Sequence, residues 1–180
     1  MPVVAQINKF ETLRPEWQRV EILAQCLLES RSGKKPSDNL IQHLQDSQQQ
    51  IEFLRKGNSW HKLTVDSLPD MALDILACTY APLINPDVAL LFQDLQQGNS
   101  IHPTLAFLHR LLALSEQEYH NAQQLLGPEG VLVRKNLISV KGQGPMVQLQ
   151  PHNRILPLIT GLPQQPLHIP GAIQIKNDFT

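Results

Sequence analysis

The segment from Ser100 to Gln150 constrains this chain most, because its hydrophobic period and punctuation change repeatedly within a short span. After His102-Pro103, Leu105, Leu108, Leu111 and Leu112 recur at helical spacing. Ser115 follows, with Glu118 three residues on. That reciprocal Ser/Glu pair caps helix N-termini. Tyr119, Ala122, Leu125 and Leu126 form the inner face of the second helix, and Gly127-Pro128 stops it. From Val131 to Val140 the chain turns to strand formers: Leu132, Val133, Leu137, Ile138 and Val140. Met146–Gln150 alternates as MVQLQ. The glycine-rich KGQGP between them is turn material. The pattern predicts helix, helix, hairpin, with Arg134, Lys135 and Lys141 as the cations of the hairpin.

Helix, helix, hairpin is the local signature of a winged helix, a device that docks on nucleic acid or on protein. A chain of 180 residues with 42% apolar and 17% charged residues can build a core and has too few charges for disorder. A net charge of −1 gives no global attraction to nucleic acid or acidic membranes. In a DNA-reading winged helix the helix before the wing enters the major groove. Here that helix is Ser115–Leu126, whose outward residues include Glu116, Gln117, Glu118, Asn121, Gln123 and Gln124. It carries no Lys or Arg, and phosphate contacts supply most of the affinity for DNA. Nucleic acid is therefore the disfavoured partner and protein the favoured one, although the wing cations keep a DNA-binding regulator as the alternative.

Upstream, Trp17, Val20, Ala24, Leu27 and Leu28 predict a helix over Pro15–Ser30. RSGKKPS is a solvated break. Ser37 or Asp38 then caps a helix running to about Lys56. Its stripe of Leu40, Leu44, Ile51 and Leu54 is narrow and interrupted by Ser47. Such a stripe suits a helical-hairpin seam, or an oligomerisation or partner surface. The connector Gly57–Thr64 places a boundary, giving a helical hairpin over 1–59, a winged-helix domain over 60–162 and a proline-rich arm over 163–180. Ser67 is expected to cap the next helix, with Pro69 in its first turn and Pro82 at its end. Asn85 with Pro86 opens another, bearing Val88, Leu91, Phe92 and Leu95 and stopped by Gly98. A short helix is expected within Asn153–Thr160 and a short strand at Ala172–Lys176. The fold class is mainly α, with a small β-hairpin wing.

Chemistry-bearing motifs are sparse. There is no GxxxxGK[ST] and no GxGxxG after a strand. None of the seven histidines has a Cys or His at i+3 or i+4. No catalytic, cofactor-binding or metal-binding residue is assigned, and no enzymatic role is expected. Cys26 and Cys78 sit among apolar neighbours and read as reduced core thiols. MPVVAQINKF lacks the basic start and apolar stretch of a signal peptide, and no run reaches membrane-spanning length. A soluble, cytoplasmic protein is expected.

LTVDSLPDMALDILACTYAPLINPDVALLFQDLQ (Leu63–Gln96) resembles the start of the winged-helix domain that precedes the ATPase module in a group of bacterial AAA+ ATPases. That group includes ATPases encoded with contractile injection systems and phage-tail-like particles. HPTLAFLHRLLALS, LLGPEGVLVRKNLISV and NRILPLITGL continue the pattern, so the resemblance covers roughly Trp60–Leu162. It rests on core positions and turns rather than on a catalytic motif. Within these 180 residues there are no Walker motifs, so the family's hydrolytic activity transfers to no residue here. What the resemblance implies is an adaptor that recruits substrate or organises an assembly. Its partner would be an ATPase module or assembly component, or further copies of itself. A structural component of a phage-tail-like particle is the remaining alternative.

Overall fold

The computed structural model describes residues 12–61, 63, 67–98 and 100–160. Pro15 in the first turn starts helix α1 (Arg14–Arg31), which buries Trp17, Val20 and Ala24. The Ser37 hydroxyl accepts the Leu40 N–H and starts α2 (Asp38–Lys56). α2 leans mainly on α1. Helix α3 (Asp70–Ile84) is apolar almost all round and buries every residue from Ile75 to Pro82. A helix of that kind belongs at the centre of a core, and α3 touches α1, α4 (Pro86–Leu95), α6 (Glu116–Leu126) and strand β2 (Gln148–Pro151).

Two expectations for α3 fail. Ser67 does not cap it; the N-cap is Pro69, with no side-chain cap hydrogen bond. Pro82 does not end it but lies inside its last turn. There the proline deprives only the Cys78 carbonyl of its donor, and burial on all sides holds the turn in place. The Asn85 side chain then accepts the Asp87 N–H, and α4 leaves α3 through a bend of 109°.

The segment before α5 (Leu105–Leu111) behaves as a first strand. Thr104 bridges Gln148 in antiparallel fashion, the Leu105 N–H donates to the Val147 carbonyl and the Leu149 N–H to the Pro103 carbonyl. The Thr104 side chain opens α5, accepting the Phe107 N–H. The Ser115/Glu118 capping box of α6 forms in both directions.

The expected strand over Val131–Val140 is corrected most. Val131–Arg134 forms a short helix, α7, and the strand β1 begins only at Ile138 and ends at Lys141. The turn Gly127–Gly130 closes with a 2.8 Å bond from the Gly130 N–H to the Gly127 carbonyl, and the Arg134 N–H then reaches the Gly130 carbonyl. Leu132 is fully buried in this helical turn. Tertiary burial overrides the strand preference of Val131 and Val133. Asn136, at φ 56°, reverses the chain into β1. A 3₁₀ turn (Gly144–Met146) joins β1 to β2, which pair antiparallel with Ile138 opposite Pro151 and Lys141 opposite Gln148. A last short helix, α8, spans Leu156–Thr160. The fold is mainly α with a small two-stranded wing.

One core cluster runs from Leu13, just before α1, through Trp60 to Ile159 on α8. The expected boundary at 59/60 therefore does not separate two cores, because α1 packs on α3, α4 and α5. The arm over 163–180, its strand at Ala172–Lys176 and the N-terminal MPVVAQINKF lie outside the described residues. Among those described, no single helix is long and apolar enough to cross a membrane.

Tyr80 of α3 ties the wing to this core. Its hydroxyl, wholly buried, donates to the Leu137 carbonyl at 2.6 Å and accepts the His152 N–H at 3.3 Å. Those two residues flank the hairpin at either end. Burial pushes the phenol well above its ordinary range, so it stays a neutral donor. Tyr80→Phe strands a buried carbonyl and is expected to cost about 1–3 kcal/mol. Chemical denaturation measures this; a loss within ~0.5 kcal/mol would mean that the wing does not depend on the phenol.

Candidate interaction surfaces

The face of α6, the hairpin and the helices packed around them are the candidate docking surfaces. On α6, Glu116, Gln117, Glu118, His120, Asn121, Gln123 and Gln124 are all exposed. Much of their polar capacity is used locally. Glu118 closes the capping box, Gln117 donates to Asn121 at 3.1 Å, and Gln124 pairs with His120 at 3.3 Å. The face is acidic and amide-rich.

The three wing cations do not form one strand. Arg134 ends α7 and is exposed, Lys135 is its C-cap residue and half-buried, and Lys141 ends β1, exposed beside the turn. Helical geometry over Val131–Arg134 separates the first two from the strand edge. Close to Lys141 lie the exposed apolar residues Val140 and Met146.

The stripe on α2 turns inward. Ile51 is 3% exposed, and Leu40, Leu44 and Leu54 are half-buried. This face, with buried Ser47 in its middle, is the seam against α1, so Ile51 has no surface to offer a partner. The apolar groups that α2 does expose are Ile41 and Phe53, and Phe53 is 77% accessible.

An ion cluster that the residue pattern did not predict sits where α1, α2 and α3 meet. Glu16 is 2% exposed, yet it accepts two bonds from Arg55, at 2.8 and 2.9 Å, and a third from the Trp60 indole at 2.8 Å. Arg55 also donates to Asp74 at 2.8 Å, and Arg19 reaches the same Asp74 oxygen at 2.8 Å. Desolvation acts against the Arg55 charge, but the hydrogen bonds and charges of Glu16 and Asp74 outweigh it, and its pKa is raised. Cys78 is wholly buried, and desolvation, then the Asp74 charge, push its thiol far up, which makes it unreactive. A cleft of about 380 Å³ opens beside the cluster, lined by Arg55, Trp60 and Asp70 among others. The signal for this cluster was in the sequence: Glu16 lies on the same stripe as Val20, and Arg55 follows Ile51 by one helical step.

Two further features meet at the end of α4. A cleft of about 480 Å³ lies between the C-terminal ends of α1 and α4, helix α5 and the wing. Arg31 and Arg110 supply its charge, Phe107 and Met146 its apolar wall. His102 lines it with its Nδ1 buried and unbonded. Desolvation pulls its pKa below the ordinary value, so the arginines carry the positive charge. Gln96 shapes the rim, donating to the His102 carbonyl and accepting the Thr104 N–H, both at 3.1 Å. The neighbouring groove between α1 and α4, about 380 Å³, is lined by Glu21, Asp87, Asp94 and the 64%-exposed Leu90. Among the described residues no cluster of three His, Cys, Asp or Glu side chains could hold a metal ion.

Comparison with protein-family models, with curated proteins and with solved structures gives no match for this chain.

Proposed function

We propose that the chain is a protein-docking module of winged-helix type. It acts in the cytoplasm as the accessory domain of an AAA+ ATPase or as a free-standing relative of one, recruiting substrate or organising an assembly. The observation that carries this reading is the exposed face of α6. Two glutamates and a row of amides occupy the position from which a DNA-reading winged helix approaches phosphates. The docking itself needs no chemistry: apolar anchors within a polar rim suffice. Exposed Phe53 and Ile41 on α2 supply such anchors. No hydrolytic step is assigned to any residue of this chain.

Arg134 and Lys141 favour a second reading, a DNA-binding regulator that grips through its wing. Titrating labelled random duplex DNA at low ionic strength separates the two. The anisotropy is expected to stay flat; a rise that collapses as salt is added would overturn the protein-docking reading. The positive arm is co-expression with an AAA+ ATPase, where an adjacent reading frame encodes one. Co-elution and an altered ATP hydrolysis rate are expected, and separate elution with an unchanged rate counts against the ATPase assignment.

A further inference from the structure

The basic cleft and the acidic groove at the end of α4 are contiguous and opposite in sign. α4 presents Asp87, Leu90 and Asp94 at i, i+3 and i+7, which places them along one helix face. Leu90 stands between the carboxylates, 64% exposed. Immediately beyond Asp94 the charge reverses at Arg31 and Arg110, both exposed. The Arg31 guanidinium donates to the Asp94 backbone carbonyl at 3.1 Å, so the two patches share a border. No ion pair consumes the carboxylate of Asp87 or Asp94, or the guanidinium of Arg110, among the described residues.

We propose that the basic cleft receives the acidic α4 strip of a second copy of this chain, closing a two-fold dimer. The chemistry of the occupant follows from the cleft. Two guanidinium groups call for carboxylates, and the exposed Met146 on the cleft wall calls for an apolar side chain beside them. The strip supplies both kinds of group. Because cleft and strip adjoin on one surface, rotation about an axis near Asp94 brings each strip to the other copy's cleft at once. That makes the contact isologous and closed, unlike a head-to-tail contact, which forms a ring or an open filament. Leu90 is the central anchor and the charges fix the register. The inference does not depend on the ATPase reading and fails or stands separately from it.

Sedimentation velocity on the full chain tests it. A concentration-dependent monomer–dimer equilibrium is expected, shifting to monomer as salt is added. Leu90→Glu is expected to abolish the dimer boundary. Two charge variants are also expected to be monomeric alone: an acidic form with Arg31→Glu and Arg110→Glu, and a basic form with Asp87→Lys and Asp94→Lys. Mixed in equal amounts, these forms are expected to pair, read as energy transfer between dyes placed on each. All the altered positions are exposed, and circular dichroism confirms that each variant is folded. A wild-type chain that stays monomeric at every concentration overturns the proposal. So do variants that dimerise like wild type, or an acidic–basic mixture that fails to pair.

Discussion

Arg55→Ala is expected to lower the free energy of unfolding by about 3–5 kcal/mol. The cost lies less in the lost attraction than in what remains. Glu16, 2% exposed, would keep a carboxylate with only the Trp60 indole as a strong donor. Asp74 suffers less because Arg19 still reaches it at 2.8 Å. The Asp70 contact contributes little: its oxygen lies 3.4 Å from Arg55 and its side chain is 84% exposed. Urea denaturation measures the loss. The accompanying control replaces both partners, Glu16→Leu with Arg55→Met, and is expected to recover much of it, since removing both charges removes the uncompensated one. If Arg55→Ala costs under ~1 kcal/mol, the cluster is a surface-grade pair and the assignment fails.

Gly130→Ala is expected to destabilise by about 3 kcal/mol, the upper end of ordinary overpacking costs. The turn after α6 brings Gly130 so close to that helix that a Cβ would stand 2.2 Å from the Leu125 carbonyl oxygen and 2.5 Å from that of Gln124. Both obstacles are backbone, so no side chain can rotate away. The backbone angle is not at issue, since φ is −67°. Gly98→Ala is the matched control: its nearest neighbour would be 3.7 Å from the new carbon. The control is expected to change stability by no more than ~0.5 kcal/mol. Equal denaturation midpoints for the two variants would show that the turn relaxes freely and does not hold α7 in place.

What the sequence made legible follows the length over which each signal operates. Helices α2, α4 and α6 could be placed because caps and period agree locally: Ser37, Asn85 and Ser115 all accept the backbone N–H groups their positions predict. Val131–Arg134 misled because β-branched residues prefer strands, while burial of Leu132 against distant neighbours decided the matter. Pro82 misled because a proline near a helix end strands only one carbonyl. The 59/60 boundary rests on the same kind of local signal. A hydrophilic connector is a local signal, whereas the contacts that merge α1 with the core span more than 50 residues, as the Arg19–Asp74 bond does across 55. The narrow stripe of α2 fitted either a seam or a partner surface, and choosing between them required knowing where α1 lay. The α4 strip and its cleft were hidden because Arg31, Asp94 and Arg110 meet only in three dimensions.

The Glu16–Arg55 pair also sets how the molecule opens. α2 leans chiefly on α1 and lies outside the central cluster, so it is the element that local fluctuations should release first. A helix attached by apolar contact alone could detach and leave the rest of the structure unaware. Here it cannot, because a departing α2 withdraws Arg55 and leaves the Glu16 carboxylate on α1 with one of its three hydrogen bonds. Undocking of the periphery is thereby reported to the interior. Amide exchange in the first turns of α1 should then rise and fall with that in the last turn of α2, a cooperative unit stitched across 39 residues by one guanidinium.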